Sequence, residues 1–223
     1  MIIANYKITT VKTGKWRQNC YIVQHLPSKE LLLIDPGDEF SAIQSALEHQ
    51  NGTLRHIILT HAHHDHVGAL KEICDTYGIA FIFHRDDLKI LKRAPMYALA
   101  FESKVIQPAD RYQFLESADL GWAGDQIRHV HTPGHTQGGT CYYFGGIAFT
   151  GDTLLNRRIG RTDLPGAKPA ILASSVDCLM DTLPGDFMVY PGHGDPWVVA
   201  DARSWWGIHR KAPPEYTQAG HTS

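Results

Sequence analysis

Short apolar runs separated by turn-forming residues occupy the start of the chain, and this pattern predicts β-strands. From residue 38 the period changes, because apolar side chains recur every three or four positions as far as Leu47, which indicates an amphipathic helix. Asp38 is the expected N-cap of this helix, and Gly52 follows its expected end. The three opening strands are predicted at residues 6–11, 19–23 and 31–35.

The middle of the chain alternates between the strand pattern and the helical pattern. The apolar run 57–59 predicts a buried strand, and a second amphipathic helix is expected to start at Val67 and to stop at Gly78. Residues 85–101 also have a helical pattern, which Pro95 is expected to interrupt because a proline ring removes one helical hydrogen bond.

The second half of the chain repeats the order of strands followed by helices. A hairpin turn is expected at Gly145 and Gly146, and Pro169 suits the first turn of a helix. Two such halves predict an α/β protein with two sheets packed face to face and helices outside, a four-layer αβ/βα sandwich. A single domain is expected over residues 1–210, followed by a mobile tail at 211–223. The strands of the second half are predicted at 112–114, 126–130, 140–144 and 147–150.

Composition and charge exclude several classes of protein. The chain carries 21 basic and 23 acidic side chains, and its net charge of −2 gives no electrostatic footprint for nucleic acid or an anionic membrane. No secretory signal is recognisable and no apolar run approaches the roughly 20 residues of a spanning helix, so a soluble cytoplasmic protein is expected. The four cysteines form no C-x-x-C pair and are expected to be isolated thiols in the core: Cys20, Cys74, Cys141 and Cys178.

The segment from His61 to His66 carries the chemistry. His61 and His63 are two residues apart, so both rings leave an extended segment on the same side and can bind one ion, at roughly 2.0–2.1 Å if it is zinc. Asp65 and His66 follow where the chain turns into a helix, and they can point to a second ion. His64 is expected at the surface or behind the ligands. The alternative is a solvated His-rich loop without a metal.

Four further motifs place a possible ligand at a strand end, each beside a glycine that lets the backbone approach the site. Taken alone, each motif is also typical of a surface turn or a helix cap. The four residues are Asp35 in Ile34-Asp35-Pro36-Gly37, His135 in Pro133-Gly134-His135, Asp152 in Gly151-Asp152-Thr153 and His193 in Pro191-Gly192-His193.

In this order, the motifs resemble those of the metallo-β-lactamase superfamily from Asp35 to His193. The resemblance implies two mixed β-sheets flanked by helices and a centre of two divalent metal ions. Zinc is the expected metal, and the same ligands accept iron or manganese. Asp35 would orient a histidine ligand by a hydrogen bond. The first ion would be held by His61, His63 and His135, and the second by Asp65, His66 and His193, with Asp152 bridging the two.

The motifs are most similar to those of small glyoxalase II-like hydrolases. The commonest zinc β-lactamases have cysteine where Asp152 stands, which disfavours antibiotic hydrolysis, and residues 158–166 resemble the loop that follows the bridging aspartate in the glyoxalase II-like proteins. The resemblance implies hydrolysis of an acyl thioester by a hydroxide that bridges the metals, with Asp65 and Asp152 as catalytic residues.

The thiol carrier of that thioester stays open. Only about thirty residues follow His193, and the C-terminal domain with which authentic glyoxalase II contacts glutathione is not among them. The carrier is therefore expected to be glutathione, or else phosphopantetheine on coenzyme A or on an acyl carrier protein, as for similar proteins of polyketide assembly. Arg157, Arg158 and Arg161 could bind its carboxylate or phosphate, although a solvated loop or an Arg161–Asp163 pair is the structural alternative.

Other activities compete with thioester hydrolysis. Persulfide dioxygenases resemble this sequence and use one iron, held by the counterparts of His61, His135 and Asp152. Phosphodiesterases and nucleases of the superfamily are weakened as candidates by the near-neutral charge. A binding module without catalysis is least expected, because every ligand of the family pattern is present.

Overall fold

The first of two β-sheets contains most strands of the N-terminal half. The structure is a computed structural model that describes residues 1–214. Strands β1 to β4 are antiparallel neighbours, whereas β4 to β7 run parallel. The strands, in spatial order, are β1 (Ile2–Ile3), β2 (Tyr6–Thr13), β3 (Gln18–His25), β4 (Glu30–Ile34), β5 (Thr53–Ile58), β6 (Phe81–Phe83) and β7 (Tyr112–Phe114).

The second sheet is built from the C-terminal half, and it is also mixed. Its β11 and β14 are parallel, and the other neighbours are antiparallel. The spatial order is β15 (Trp197–Val198), β14 (Met188–Pro191), β11 (Ile147–Gly151), β10 (Thr140–Phe144), β9 (Asp125–His131) and β8 (Leu120–Trp122). A separate hairpin pairs β12 (Leu154–Leu155) with β13 (Arg158–Ile159).

Three apolar layers hold the sheets and helices together. Alternate residues of β4 face opposite sides: Leu33 packs with the helices, whereas Leu32 packs in the layer between the two sheets. A third layer joins the second sheet to the last two helices. The helices are α1 (Phe40–Glu48), α2 (His64–Val67), α3 (Leu70–Tyr77), α4 (Leu88–Glu102), α5 (Pro169–Thr182) and α6 (Val199–His209). The predicted four-layer αβ/βα sandwich is confirmed.

Helix α4 differs from its prediction because it runs through Pro95 without a break. Its Leu91, Ala94 and Ala98 are buried against the first sheet. Burial of this face offsets the roughly 3 kcal/mol that a proline costs inside a helix. Helix α3 ends at Gly78 in the left-handed conformation, φ 69°, as predicted.

Three local predictions are wrong. Tyr112–Phe114 belongs to the first sheet, where Tyr112 pairs in parallel with Phe81, and not to the second half. The N-cap of α1 is Glu39, and the preceding Asp38 instead pairs with Lys104. Three of the four cysteines are buried thiols as expected, but Cys178 is exposed.

The C-terminal prediction is only partly within the described residues. The carbonyl of Pro214 accepts a hydrogen bond from the Ile159 amide at 3.0 Å, and residues 215–223 of the predicted tail lie outside the described range. Within residues 1–214, no helix has both the length and the apolar character needed to cross a bilayer.

Candidate metal centre

All seven predicted ligands meet at one edge of the sandwich. In the first sheet, β4 ends before Asp35 and β5 ends before the histidine segment, and because these strands are parallel their carboxyl ends lie side by side. In the second sheet, Asp152 and His193 follow the parallel strands β11 and β14. His135 follows β9, and the loops of both sheets therefore converge on one site.

The first ligand group consists of His61, His63 and His135. One nitrogen from each ring lies within 4.8 Å of the others, and His63 Nδ1 is 2.9 Å from His135 Nε2. His61 and His63 project from the segment that follows β5, and their ring centroids are 4.9 Å apart. The three rings surround a volume that one divalent cation can fill.

The second group consists of Asp65, His66 and His193, whose ligand atoms also lie within 4.8 Å of one another. Helix α2 starts at His64, so its first turn carries Asp65 and His66 inward together. Asp65 Oδ2 is 3.3 Å from His193 Nε2. This group forms a second possible cation site.

Asp152 lies between the two groups. Its Oδ2 is 3.6 Å from His135 Nε2 of the first group and 3.7 Å from His193 Nε2 of the second, and its Oδ1 is 3.7 Å from His66 Nε2. The carboxylate can therefore face one cation with each oxygen or share one oxygen between both.

The donor set fits two divalent cations. Three buried polar atoms of the ligand groups have no hydrogen-bond partner among residues 1–214: His61 Nε2, His66 Nε2 and Asp152 Oδ1. Buried polar groups are normally paired, and these three are aimed into the cluster. Gly192 also keeps the site open, because a Cβ at this position would lie 2.2 Å from Asp152 Oδ1.

Several ligand rings are held by a hydrogen bond at their other nitrogen, which orients the ligand atom. His66 Nδ1 is 3.0 Å from Asp35 Oδ2, His135 Nδ1 is 2.8 Å from the Arg161 carbonyl, and His193 Nδ1 is 3.1 Å from the Trp16 carbonyl. Asp35, whose φ is 50°, also accepts hydrogen bonds from the amide and hydroxyl of Thr60. Asp35 thus lies where an orienting carboxylate was predicted.

The protonation of the cluster follows from burial and from the charges around each ring. Burial and the neighbouring imidazoles place the pKa of His61 and of His63 well below the usual value, so both rings are neutral and can bind a cation. Burial also opposes the charged form of His66, but the carboxylates of Asp65 and Asp35 outweigh it and raise the pKa of His66 to about 9. Despite its burial, Asp65 has a pKa well below its usual range because of His66 and His193.

Asp87, which no local sequence pattern singled out, holds the two ligand loops together. Asp87 is fully buried and accepts hydrogen bonds from the Ala62 amide at 3.0 Å, the Thr136 hydroxyl at 2.9 Å and the Gly138 amide at 2.6 Å. One feature could have indicated this role. Asp87 follows β6, which runs parallel to β5, the strand that precedes the histidine segment.

His64 is buried, and its Nε2 lies 2.8 Å from Glu102 Oε1 at the end of α4. The indole of Trp16 donates to the same carboxylate oxygen at 3.0 Å. The surface position allowed for His64 is therefore wrong. His64 lines the cleft, stacks on Phe101 and connects the histidine segment to α4.

A cleft of about 570 Å³ opens over the metal ligands. Its far wall is apolar, and it is formed by Ile90, Tyr97 and Phe101 of α4 with Leu164 and Pro165 of the opposite loop. On the ligand side, His63, Asp65, His135 and Asp152 face the cleft.

The structure separates the three arginines considered for substrate binding. Arg161 lines the cleft, and its guanidinium pairs with Asp163 through two contacts of 2.6 Å. Arg157 lines a different groove beside Trp197, and Arg158 is exposed in β13. Arg161 therefore adopts the structural pairing that was the alternative prediction.

Comparison with known proteins agrees with this geometry. An uncharacterized protein of Mycobacterium tuberculosis is 32% identical over 88% of this chain and 94% of its own length. Hydroxyacylglutathione hydrolase GloC of Haemophilus influenzae is 31% identical, with the same coverage of 88% and 94%. The probable polyketide biosynthesis zinc-dependent hydrolase PksB of Bacillus subtilis is 26% identical over 84% of this chain and 79% of its own.

Solved structures share the fold. The BLEG-1 B3 metallo-beta-lactamase superposes with a TM-score of 0.81 at 29% identity, covering 89% of this chain and 97% of its own. TTHA1623 in a di-iron-bound form gives a TM-score of 0.78 at 33% identity, with coverage of 87% and 97%. ETHE1 from Myxococcus xanthus, at 21% identity with a TM-score of 0.70 and coverage of 92% and 90%, shows the same fold.

A family model covers most of the chain, matching residues 13–193, and the matched segment contains every residue of the His and Asp cluster. Members of this family bind divalent metal ions, which agrees with the two ligand groups. The chain belongs to the metallo-beta-lactamase superfamily.

Proposed function

We propose that this protein hydrolyses acyl thioesters with two divalent metal ions, of which zinc is the first candidate and iron the second. The observation that carries the proposal is the position of Asp152, whose oxygens lie 3.6 to 3.7 Å from histidines of both ligand groups. A carboxylate at this position serves two cations better than one. The relative PksB is named a zinc-dependent hydrolase, and the similar protein TTHA1623 was solved in a di-iron-bound form.

Two cations held by the two ligand groups would act as Lewis acids, which lower the pKa of a bound water and polarise a substrate carbonyl. The chain's own residues prepare this reaction. His63 and His135 form one wall of the cleft, where the carbonyl of the substrate would lie. Asp65 and Asp152 present their carboxylates to the same part of the cleft. Asp65 Oδ2 faces His193 Nε2. We therefore assign to Asp65 Oδ1 the transient holding of the proton that the attacking water releases. The apolar wall of α4 would exclude water from the acyl group.

The name of one relative supports a thioester substrate, and that of a second keeps the thiol carrier open. The relative GloC is named a hydroxyacylglutathione hydrolase, and this chain covers 94% of its length. The short segment after His193 therefore does not argue against glutathione as the thiol. The relative PksB is assigned to polyketide biosynthesis, where acyl groups are carried on phosphopantetheine. Both thiols are therefore included in the test. The cytoplasmic location of the protein stays a prediction.

Two competing activities define the controls. A persulfide dioxygenase would need one iron on His61, His135 and Asp152, whereas the second group of Asp65, His66 and His193 is complete here and favours two ions. β-Lactam hydrolysis is included because the BLEG-1 lactamase has 29% identity to this chain.

The experiment loads the purified protein with zinc or iron and measures thiol release from acyl-glutathione and acyl-pantetheine. We expect thiol release from at least one of them, and a loss of at least about a hundredfold in Asp152→Ala, since even the groups that only orient a ligand contribute 10–100-fold. Parallel assays follow oxygen consumption with glutathione persulfide and cleavage of a chromogenic cephalosporin. Thiol release from neither thioester, or an Asp152→Ala variant that is as active as the wild type, would refute the proposal.

A further inference from the structure

We propose that the exposed face of α4 is a docking surface for an acidic carrier protein that presents the thioester on a flexible arm. This inference rests on the proposed function, and it identifies the partner that delivers the substrate. Its basis is the position of α4, which forms both the inner wall of the cleft and part of the outer surface beside it.

The two faces of α4 are adjacent around the helix axis. At about 3.6 residues per turn, Lys89, Arg93 and Met96 project from one face, and Ile90 and Tyr97 project from the neighbouring face. The second face lines the cleft, and the first is exposed to solvent. A partner bound to the exposed face would therefore lie at the rim of the cleft.

The exposed face combines positive charge with apolar area. Lys89, Lys92 and Arg93 are all exposed, and none of their side chains forms a hydrogen bond or an ion pair with another residue within 1–214. Met96 and Leu99, one turn further along, are 56% and 57% exposed. Basic side chains beside exposed apolar ones are typical of a surface that binds an acidic protein.

The local charge contrasts with that of the whole chain. Residues 88–101 contain three basic side chains and no acidic one, although the chain as a whole has a net charge of −2. The single acidic residue of the helix, Glu102, contacts His64 and Trp16 and does not neutralise the exposed face. The exposed face of α4 therefore carries a local excess of positive charge, which would attract an acidic carrier toward the cleft.

The cleft suits delivery by an arm from this side. Phe101 is 46% exposed and stacks on Tyr97 with their ring centroids 5.9 Å apart, so this aromatic pair extends from the cleft to the helix surface. A carrier on α4 could pass its arm over this pair and place the thioester carbonyl beside Asp65 and Asp152.

The test presents one acyl group, octanoyl, on two thiols: the phosphopantetheine arm of an acidic acyl carrier protein, and free pantetheine. We expect the double variant Lys89→Glu, Arg93→Glu to lower kcat/KM for the carrier-bound thioester by about tenfold or more, because charges at the rim of an interface set the rate of encounter. Its kcat/KM for octanoyl-pantetheine should equal that of the wild type, which also shows that the variant is folded. Added salt should lower kcat/KM only for the wild type acting on the carrier-bound thioester.

Arg128→Glu is the matched control, since Arg128 is exposed on β9 and lines a groove with Tyr143 and Thr182, apart from the cleft. The Arg128→Glu variant should leave kcat/KM unchanged for both the carrier-bound thioester and octanoyl-pantetheine. An unchanged kcat/KM for the carrier substrate in the α4 double variant, or an equal loss in Arg128→Glu, would overturn the docking proposal while pantetheine hydrolysis remained intact. A wild type that hydrolyses neither thioester would overturn the proposed function as well.

Discussion

The carboxylate of Asp87 accepts a hydrogen bond from the backbone amide of Ala62 at 3.0 Å, and this bond holds the extended backbone between His61 and His63. Further bonds to Thr136 and Gly138 hold the loop that carries His135, so one buried carboxylate sets the distance between the two parts of the first ligand group. The spacing of these ligands therefore depends on a residue that binds no metal itself.

Asp87→Ala would leave three donors without their acceptor, each at a cost of roughly 1 kcal/mol or more, and we expect unfolding of the metal-free protein to require about 3 kcal/mol less. Urea denaturation measures this difference. Asp86→Ala is the control, because the side chain of Asp86 is 54% exposed and should contribute less than about 0.5 kcal/mol. Equal stability of the two variants would show that Asp87 does not hold the loops.

Asp35→Asn tests the orientation of the second ligand group. The carboxylate of Asp35 lies 3.0 Å from His66 Nδ1, and an amide there loses the charge that favours this ring orientation. We expect the zinc affinity of the second ligand group to fall by about 10–100-fold. Competition with a fluorescent chelator measures it, with Asp75→Asn, an exposed position on α3, as the control. Unchanged affinity in Asp35→Asn would argue against an orienting role.

Gly192→Ala should damage the centre sterically. The added Cβ would lie 2.2 Å from Asp152 Oδ1 and 2.8 Å from His66 Cε1, so one of these groups must move. We expect loss of about one metal ion per chain by elemental analysis. Gly207→Ala is the matched control: its Cβ meets nothing within 4 Å in helix α6, and it should stabilise the protein by about 1 kcal/mol. Full metal content in Gly192→Ala would contradict the crowding predicted at this position.

Asp177 links helices α5 and α6 by accepting a hydrogen bond from the Trp206 indole at 2.8 Å and by pairing with Arg210. Burial opposes its ionisation, but these two donors outweigh it and hold the pKa of Asp177 below its usual value. A lowered pKa in the folded state stabilises the protein above the unfolded pKa of about 3.9, and this contribution is lost as the pH falls through the lower folded value.

We therefore expect Asp177→Asn to lower the free energy of unfolding by about 0.5–1 kcal/mol at pH 7, and by progressively less as the pH falls toward 3. Urea denaturation of the metal-free proteins across this range measures the difference. A destabilisation that grows as the pH falls would have the wrong sign for this explanation.

The residues alone indicated a metal site only for the segment from His61 to His66, where several possible ligands are close in the chain. Asp152 and His193 were added because the order of the motifs resembles that of the metallo-β-lactamase superfamily. The structure places the ligand atoms of each predicted group within 4.8 Å of one another. The strand of Tyr112–Phe114 was placed in the wrong sheet because three residues carry no information about their pairing partner. Its parallel pairing with β6 depends on the long connection through α4.

Asp87 was missed for a related reason. In the sequence it is one of two adjacent aspartates after a short strand, and nothing local distinguishes it from the exposed Asp86. Its role arises from three donors, the nearest of them 25 positions away along the chain. Such a contact follows from tertiary structure and not from a local pattern.

The number of metal ions per chain tests the central claim most directly. Elemental analysis of the zinc-loaded wild type, after removal of free metal, should give two ions per chain, and Asp152→Ala should give fewer than two. A wild-type value of one ion or none would contradict a centre in which Asp152 joins the two ligand groups.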